Sequence, residues 1–252
     1  MNKQGPGKIE WCDYVWNPVV GCTHGCTFCY ARRQAKRQKQ QCKLCYDFIP
    51  HLHAERLDEP AKRRKPARIF VCSMGELFDP AVYRIDLQFV VRAMAAAPQH
   101  TYIILTKQPL MVPLLQEGLD LLAMPNLWLG TSICNQADAD ARIPALLQCE
   151  AKVRFVSYEP AMGPVDFTTI AGAHVAGGRW GQNVLDQQYQ SIDWLIIGFE
   201  TGNRKGKVVP KREWIADAVE QAREAGVPVF VKDNVVKHFP EFAGMQEWPE
   251  GK

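Results

Sequence analysis

The residues that carry the most chemistry are Cys22-Thr23-His24-Gly25-Cys26-Thr27-Phe28-Cys29, a C-x3-C-x2-C run followed by Tyr30. Three thiols at these intervals cannot share one helix face, so a loop must wrap them around a common centre. Thiolates are the protein ligands of iron–sulfur clusters, and a four-iron cluster has four corners to fill. Three local cysteines leave one iron open to a substrate or cofactor, which a cluster that only relays electrons does not need. Zinc or inert cysteines are the competing readings, although a structural zinc site closes with four ligands. Six of the nine cysteines lie between Cys12 and Cys45, and no secretory signal or apolar leader is visible. Crowding of that kind points to metal ligation in a reducing compartment, the cytoplasm, and away from a secreted disulfide framework.

A second pair, Cys42-Lys43-Leu44-Cys45, is followed by His51 and His53. C-x2-C is half of many zinc or cluster sites, and two nearby imidazoles can complete one. H-x-H is shorter than the usual finger spacing, which argues against a C2H2 finger. An auxiliary cluster drawing in Cys12 and free thiols on a surface insert are the alternatives. Cys72, Cys134 and Cys149 sit in or beside apolar runs and read as small core residues. Around the cysteines the charge is lopsided: Met1–Arg68 holds 14 Lys/Arg against 6 Asp/Glu, and the remainder 16 against 21. The basic tracts Arg32–Lys39 and Lys62–Lys65, with Trp11, Trp16, Tyr30 and Tyr46 nearby, suit phosphates and unstacked bases. An ordinary solvated helix face explains them equally well.

The elements that must position these residues are legible beyond residue 66. Short, nearly continuous apolar runs, Arg68–Ser73, Thr101–Thr106, Asn126–Ser132, Lys152–Ser157, Trp194–Phe199 and Val227–Lys232, read as parallel strands covered on both faces. Amphipathic stretches alternate with them: Tyr83–Ala97, Leu110–Leu122, Ala137–Cys149 and Trp214–Ala225. A further strand, Tyr14–Val20, is predicted to be an edge or irregular one because of Pro18. The rhythm predicts an α/β protein with six or seven mostly parallel strands, either a doubly wound sheet or a complete or partial (β/α) barrel. One domain over 1–252 is expected, with a basic Cys-containing insert at 31–66 and a Gly- and Gln-rich loop insertion at 163–190. No run approaches the roughly 20 apolar residues of a membrane span.

The cysteine run, including the aromatic Phe28 just before the third cysteine, resembles the defining motif of the radical S-adenosylmethionine (SAM) superfamily. Met74-Gly75-Glu76 is similar to that superfamily's Gly-Gly-Glu element, with Met74 in place of the first glycine. Over most of the chain, segments such as Trp16-Asn17-Pro18-Val19, Leu127-Trp128-Leu129-Gly130 and Glu159-Pro160 look like an uncharacterised phage-associated family of radical-SAM-like proteins. That family often carries a longer spacer between its first two cysteines and seldom needs Cys42 and Cys45. More distantly, the layout is similar to the spore photoproduct lyases, radical enzymes acting on DNA.

The resemblance implies a partial (β/α) barrel of the radical SAM type, with Cys22, Cys26 and Cys29 ligating a [4Fe–4S] cluster and SAM on the open iron. Reductive cleavage of SAM then gives a 5′-deoxyadenosyl radical that abstracts hydrogen from a substrate, with nucleic acid or a nucleotide as the candidate. A flavodoxin or ferredoxin is implied as electron donor. Polar residues at strand ends are the expected SAM contacts, Ser73, Glu76, Thr106, Lys107, Thr131, Ser132 and Glu159, together with Phe28 and Gly75 of the two motifs. Glu200, Lys232 and Tyr158 end later strands and are candidates for substrate contact or proton handling. A salt bridge such as Glu200 with Lys232 is the plainer explanation. Two other classes compete: a non-enzymatic, zinc-containing nucleic-acid-binding protein, and an electron-transfer module.

Overall fold

The structure is a computed structural model and describes residues 1–5, 7–37, 42–115, 117–174, 180–186, 190–201 and 204–249. Gln38 and Lys39 of the first basic tract, and 175–179 and 187–189 of the predicted loop insertion, lie outside the described residues. Among the described residues, no helix is long and apolar enough to cross a membrane. The chain is mixed α/β with a mostly parallel sheet, as the alternating apolar runs predict; the sheet has eight strands against the six or seven expected, the two-residue antiparallel strand Asn2–Lys3 being the addition. It divides into two compact units, Met1–Trp128 and Leu129–Lys252.

In the first unit, Asn2–Lys3 (β1) pairs antiparallel with Tyr14–Trp16 (β2), and Val19–Val20 (β3) follows. Pro18 splits the predicted Tyr14–Val20 strand into these two pieces, because proline has no N–H for a ladder. Two short helices follow, Tyr30–Ala35 (α1) and Lys43–Asp47 (α2), and then His51–Leu52 (β4), antiparallel to β3. Next come Arg68–Val71 (β5), Arg84–Ala95 (α3), Thr101–Thr106 (β6) and Met111–Leu115 (α4). β2, β5 and β6 run parallel in that order. β5 and β6 are buried almost throughout because their side chains on both faces are apolar. The predicted helix Leu110–Leu122 is only the five residues of α4; Gly118 and Asp120 downstream have positive φ, which no helix continues.

The division between the units falls within Leu127–Ile133 (β7), all seven residues of which are buried. The second unit continues with Gln136–Leu147 (α5), Val153–Tyr158 (β8), Ile170–His174 (β9), Trp180–Gln182 (β10), Trp194–Ile197 (β11), Arg212–Glu224 (α6), Val229–Val231 (β12) and Asp233–Val236 (α7). β8, β11 and β12 are parallel neighbours. α6 buries Ile215, Ala218, Val219 and Ala222, a stripe at helical spacing. β9 and β10 form an antiparallel hairpin inside 163–190, and Ala171 N–H bonds Asp140 Oδ1 of α5 at 3.1 Å.

Candidate functional site: two cysteine centres and a buried ion pair

Cys22, Cys26 and Cys29 lie on the loop between β3 and α1, each half-buried. Two backbone groups already face their sulfurs: His24 N–H donates to Cys22 Sγ and Arg32 N–H to Cys29 Sγ, both at 3.3 Å. Cys29 caps α1 through the second bond. Cys22 and Cys29 pack with Met74 against the buried trio Ala31, Ala35 and Phe48. Burial, joined by the negative charges of Glu76 and Asp79, pushes the Cys22 thiol up to about 12.

The loop is held by residues both distant and near in sequence. Asp79, fully buried, accepts from Thr23 N–H at 2.7 Å and from the Thr23 hydroxyl at 2.9 Å. Arg32 Nη2 donates to Cys22 O at 2.9 Å, and Arg33 Nη1 to Phe28 O at 3.1 Å. Asn17 Oδ1 accepts from Met74 N–H at 2.9 Å and from the Ser73 hydroxyl at 3.1 Å. Gly21 N–H bonds Met74 O at 3.0 Å, and Glu76 N–H bonds Gly21 O at 3.1 Å. The approach is so close that a Cβ on Gly75 would stand 2.9 Å from Gly21 O. Gly75 is thus required by the cysteine loop lying directly on the turn after β5.

Several predicted cofactor residues meet here. Tyr30 OH donates to Ser73 O at 2.5 Å. Lys107 Nζ stands over the Phe28 ring, 5.7 Å from its centre. Glu76 is buried and its oxygens accept from the Thr106 hydroxyl (2.7 Å), Phe78 N–H (3.2 Å) and Lys107 N–H (2.9 Å). It bolts the turn after β5 to the end of β6. Burial raises its carboxyl above the ordinary value, against these donors.

The second pair of cysteines also finds partners. Cys42 caps α2, and Phe48 reverses the chain with φ 59° so that β4 returns beside β3. Side chains two apart on an extended segment share a face, so His51 and His53 point the same way. Their Nε2 atoms meet the thiols: Cys42 Sγ to His51 at 3.5 Å, Cys45 Sγ to His51 at 3.5 Å, and Cys45 Sγ to His53 at 3.1 Å. The four donor atoms all lie within 4.8 Å of one another and could hold a metal ion. Cys12 is outside that group; it is buried and its thiol faces Ile9 O at 3.9 Å.

In the second unit, Lys232 Nζ bonds Glu159 Oε1 at 2.6 Å. Gly198, at the end of β11, lies against both: a Cβ there would meet Glu159 Cδ at 2.7 Å and Lys232 Cδ at 2.9 Å. Glu200 is buried and engages Arg204 through two bonds of 2.8 Å, not Lys232. Tyr158 is fully buried and its hydroxyl donates to Gly163 O. Thr131 and Ser132 lie inside β7, which runs one residue beyond the predicted end, and both are buried. Glu159, Gly198 and Lys232 therefore converge at the ends of β8, β11 and β12.

Parallel strands and helical crossovers define an α/β protein, and a solved structure carries a similar fold. A cysteine-to-serine mutant of spore photoproduct lyase is 12% identical, with a TM-score of 0.51 over 91% of this chain and 78% of that one. The element order and parallel pairing are those of a partial (β/α) barrel of the radical SAM type. The chain belongs to the family described as protein of unknown function (DUF5131), whose model matches residues 6–241. No curated protein matches the sequence.

Asp79 and Asn17 are the anchors that sequence reasoning missed as site residues. Asn17 falls within the Trp16–Val19 segment, and neither residue bears a spacing that signals a ligand.

Proposed function

We propose that this chain is a radical SAM enzyme whose [4Fe–4S] cluster sits on Cys22, Cys26 and Cys29. The observation that carries the reading is the three-thiol loop itself, half-buried and already faced by N–H donors to two of its sulfurs. The spore photoproduct lyase likeness supports the scaffold. When bound, the cluster and SAM supply a carbon radical able to take hydrogen from a substrate; the protein's task is to bind, orient and exclude.

For that task, Asp79, Arg32 and Arg33 hold the loop's backbone, and Asn17 and Gly75 set the adjoining turn. Phe28 and Lys107 form one wall beside the third cysteine. Glu76 positions Thr106 and Lys107 through one accepted hydrogen bond from each. Glu159 and Lys232 form a salt-bridged pair that can hold a proton or orient a polar substrate group. SAM and a flavodoxin- or ferredoxin-type reductant are the partners, in the cytoplasm, and nucleic acid or a nucleotide is the substrate class.

Anaerobic purification tests the reading. The protein should be brown, with four irons per cluster on the three cysteines, and should release 5′-deoxyadenosine from SAM under a strong reductant. Cys26→Ala should lose both properties. Cleavage of SAM by that variant, or a colourless wild type lacking iron, overturns the assignment. Mass analysis of nucleic acids incubated with the active enzyme then tests the substrate class.

A further inference from the structure

Cys42, Cys45, His51 and His53 form a second centre with its own chemistry. Each imidazole has its Nδ1 on an acceptor, His51 on Ile49 O and His53 on Glu55 Oε1, both at 2.7 Å. A neutral imidazole carries one N–H, so those contacts put the proton on Nδ1 and leave both Nε2 lone pairs facing the thiols. A backbone carbonyl and a carboxylate behind the ring are the partners that orient metal-bound histidines.

The spacing agrees. With Zn–S near 2.3 Å and Zn–N near 2.0 Å, a tetrahedral ion sets its sulfur–nitrogen edges at about 3.5 Å. The three close S···N contacts are 3.5, 3.5 and 3.1 Å. Two thiols can donate only two S–H bonds, whereas one ion satisfies all the contacts. A two-iron cluster with mixed ligands keeps its histidines on one iron and its cysteines on the other. Here sulfur and nitrogen alternate at single-ion distances instead.

From this geometry we infer that Cys42, Cys45, His51 and His53 bind one Zn²⁺ ion in a closed, four-ligand structural site. The site clamps the chain from 42 to 56 onto the strand that leads into the Cys22 loop. His53 N–H bonds Pro18 O at 2.7 Å, Cys22 N–H bonds Phe48 O at 3.2 Å, and Trp16 Nε1 bonds Arg56 O at 2.8 Å. The zinc therefore holds the floor under the first cysteine of the other centre. The inference does not rest on the reading of Cys22, Cys26 and Cys29.

The test is metal analysis and zinc-edge X-ray absorption on the full chain purified without oxygen. One zinc per chain with two sulfur and two nitrogen neighbours is expected. Cys26→Ala should keep that zinc, and His51→Cys should keep it with three sulfur neighbours. Cys45→Ser and His53→Ala should lose it. Should those two variants fail to fold, the His51→Cys shift in sulfur count still decides. Iron in place of zinc at two sulfurs and two nitrogens, wild type without zinc, or an unchanged sulfur count in His51→Cys overturns the site. For the clamp, amide exchange is followed in Cys26→Ala before and after chelation. Exchange at Cys22 and His53 should quicken about ten-fold or more; unchanged rates overturn it.

Discussion

Replacing Gly21 by alanine should be among the most damaging single changes in the first unit. Gly21 has φ +99°, a conformation costing a side-chain-bearing residue about 1–3 kcal/mol. Its new Cβ would stand 2.4 Å from Ile49 C and O and 2.6 Å from Pro50 N, all backbone. Relieving that overlap requires a separation of about 1 Å, and overpacking of this kind costs about 1–3 kcal/mol. Gly21 cannot retreat freely, because its other side is tied to Met74 O at 3.0 Å and Glu76 N–H at 3.1 Å. Losing those two bonds adds about 1 kcal/mol each. If relaxation spares part of this sum, the variant should lose about 3–6 kcal/mol, a large share of the roughly 5–15 kcal/mol of a domain. Gly226→Ala is the control: φ is +69° there with nothing within 4 Å of the added carbon, so only the backbone cost of about 1 kcal/mol remains. Urea unfolding followed by tryptophan fluorescence, with iron and zinc content on the same samples, reads both variants. If Gly21→Ala falls within about 1 kcal/mol of Gly226→Ala and loads its metals normally, the close approach at Gly21 is wrong.

Two further perturbations address the buried ionisable groups. Glu76→Gln should turn an amide N–H₂ against Lys107 N–H and cost about 1.5–3 kcal/mol. Because burial raises the Glu76 carboxyl above 4.5, its contribution to stability is complete below that pH and is lost as pH rises through the folded value. The stability gap between wild type and Glu76→Gln should therefore narrow as pH climbs from 4.5; a widening gap in urea titrations would refute burial as the dominant cause. Lys232→Met leaves Glu159 without its salt-bridge partner and should cost about 3 kcal/mol, near the low end for a buried pair because the Glu159 side chain is 22% exposed. Adding Glu159→Gln should recover much of that loss, and equal stability of the single and double variants would show that the pair contributes through packing alone.

Legibility in the sequence followed locality. Thr101–Thr106 was readable to the residue because its apolar run is dense and bounded, and α6 because its buried stripe repeats at helical spacing. The apolar pattern of Leu110–Leu122 is helical throughout, but the chain past Leu115 takes left-handed turns at Gly118 and Asp120. The hairpin of β9 and β10 is not legible because its pairing lies across a Gly-rich segment with no alternation to mark it. At the site, ligand types and spacings were visible, but their supports were not. His51 and His53 are too close for the usual finger spacing, yet on an extended segment that interval is what places two rings on one side. Asp79 meets Thr23 across 56 positions of chain, a contact that composition and periodicity do not encode.

The same logic changes what the basic N-terminal third means. A count of lysines and arginines suggests a polyanion-binding face, yet many of these guanidinium groups work inward. Arg32 bonds Cys22 O and lies over the Phe48 ring at 4.9 Å, Arg33 bonds Phe28 O, and Arg56 bonds Asn17 O at 3.1 Å. Arg63 stacks over Tyr14 at 4.3 Å, and Arg68 pairs with Asp13 at 3.3 Å. A guanidinium spreads its donors over a plane, so one side chain can satisfy a loop carbonyl and cover an aromatic face together. A three-thiol loop has few apolar side chains with which to fold itself, and its backbone carbonyls need donors. Arg32 and Arg33 supply them from α1, and Arg56, after β4, does the same for Asn17 on the chain that leads into the loop. The charge excess beside Cys22 and Phe28 is thus partly the means by which the loop is held, and only cations left free of such contacts can serve a phosphate.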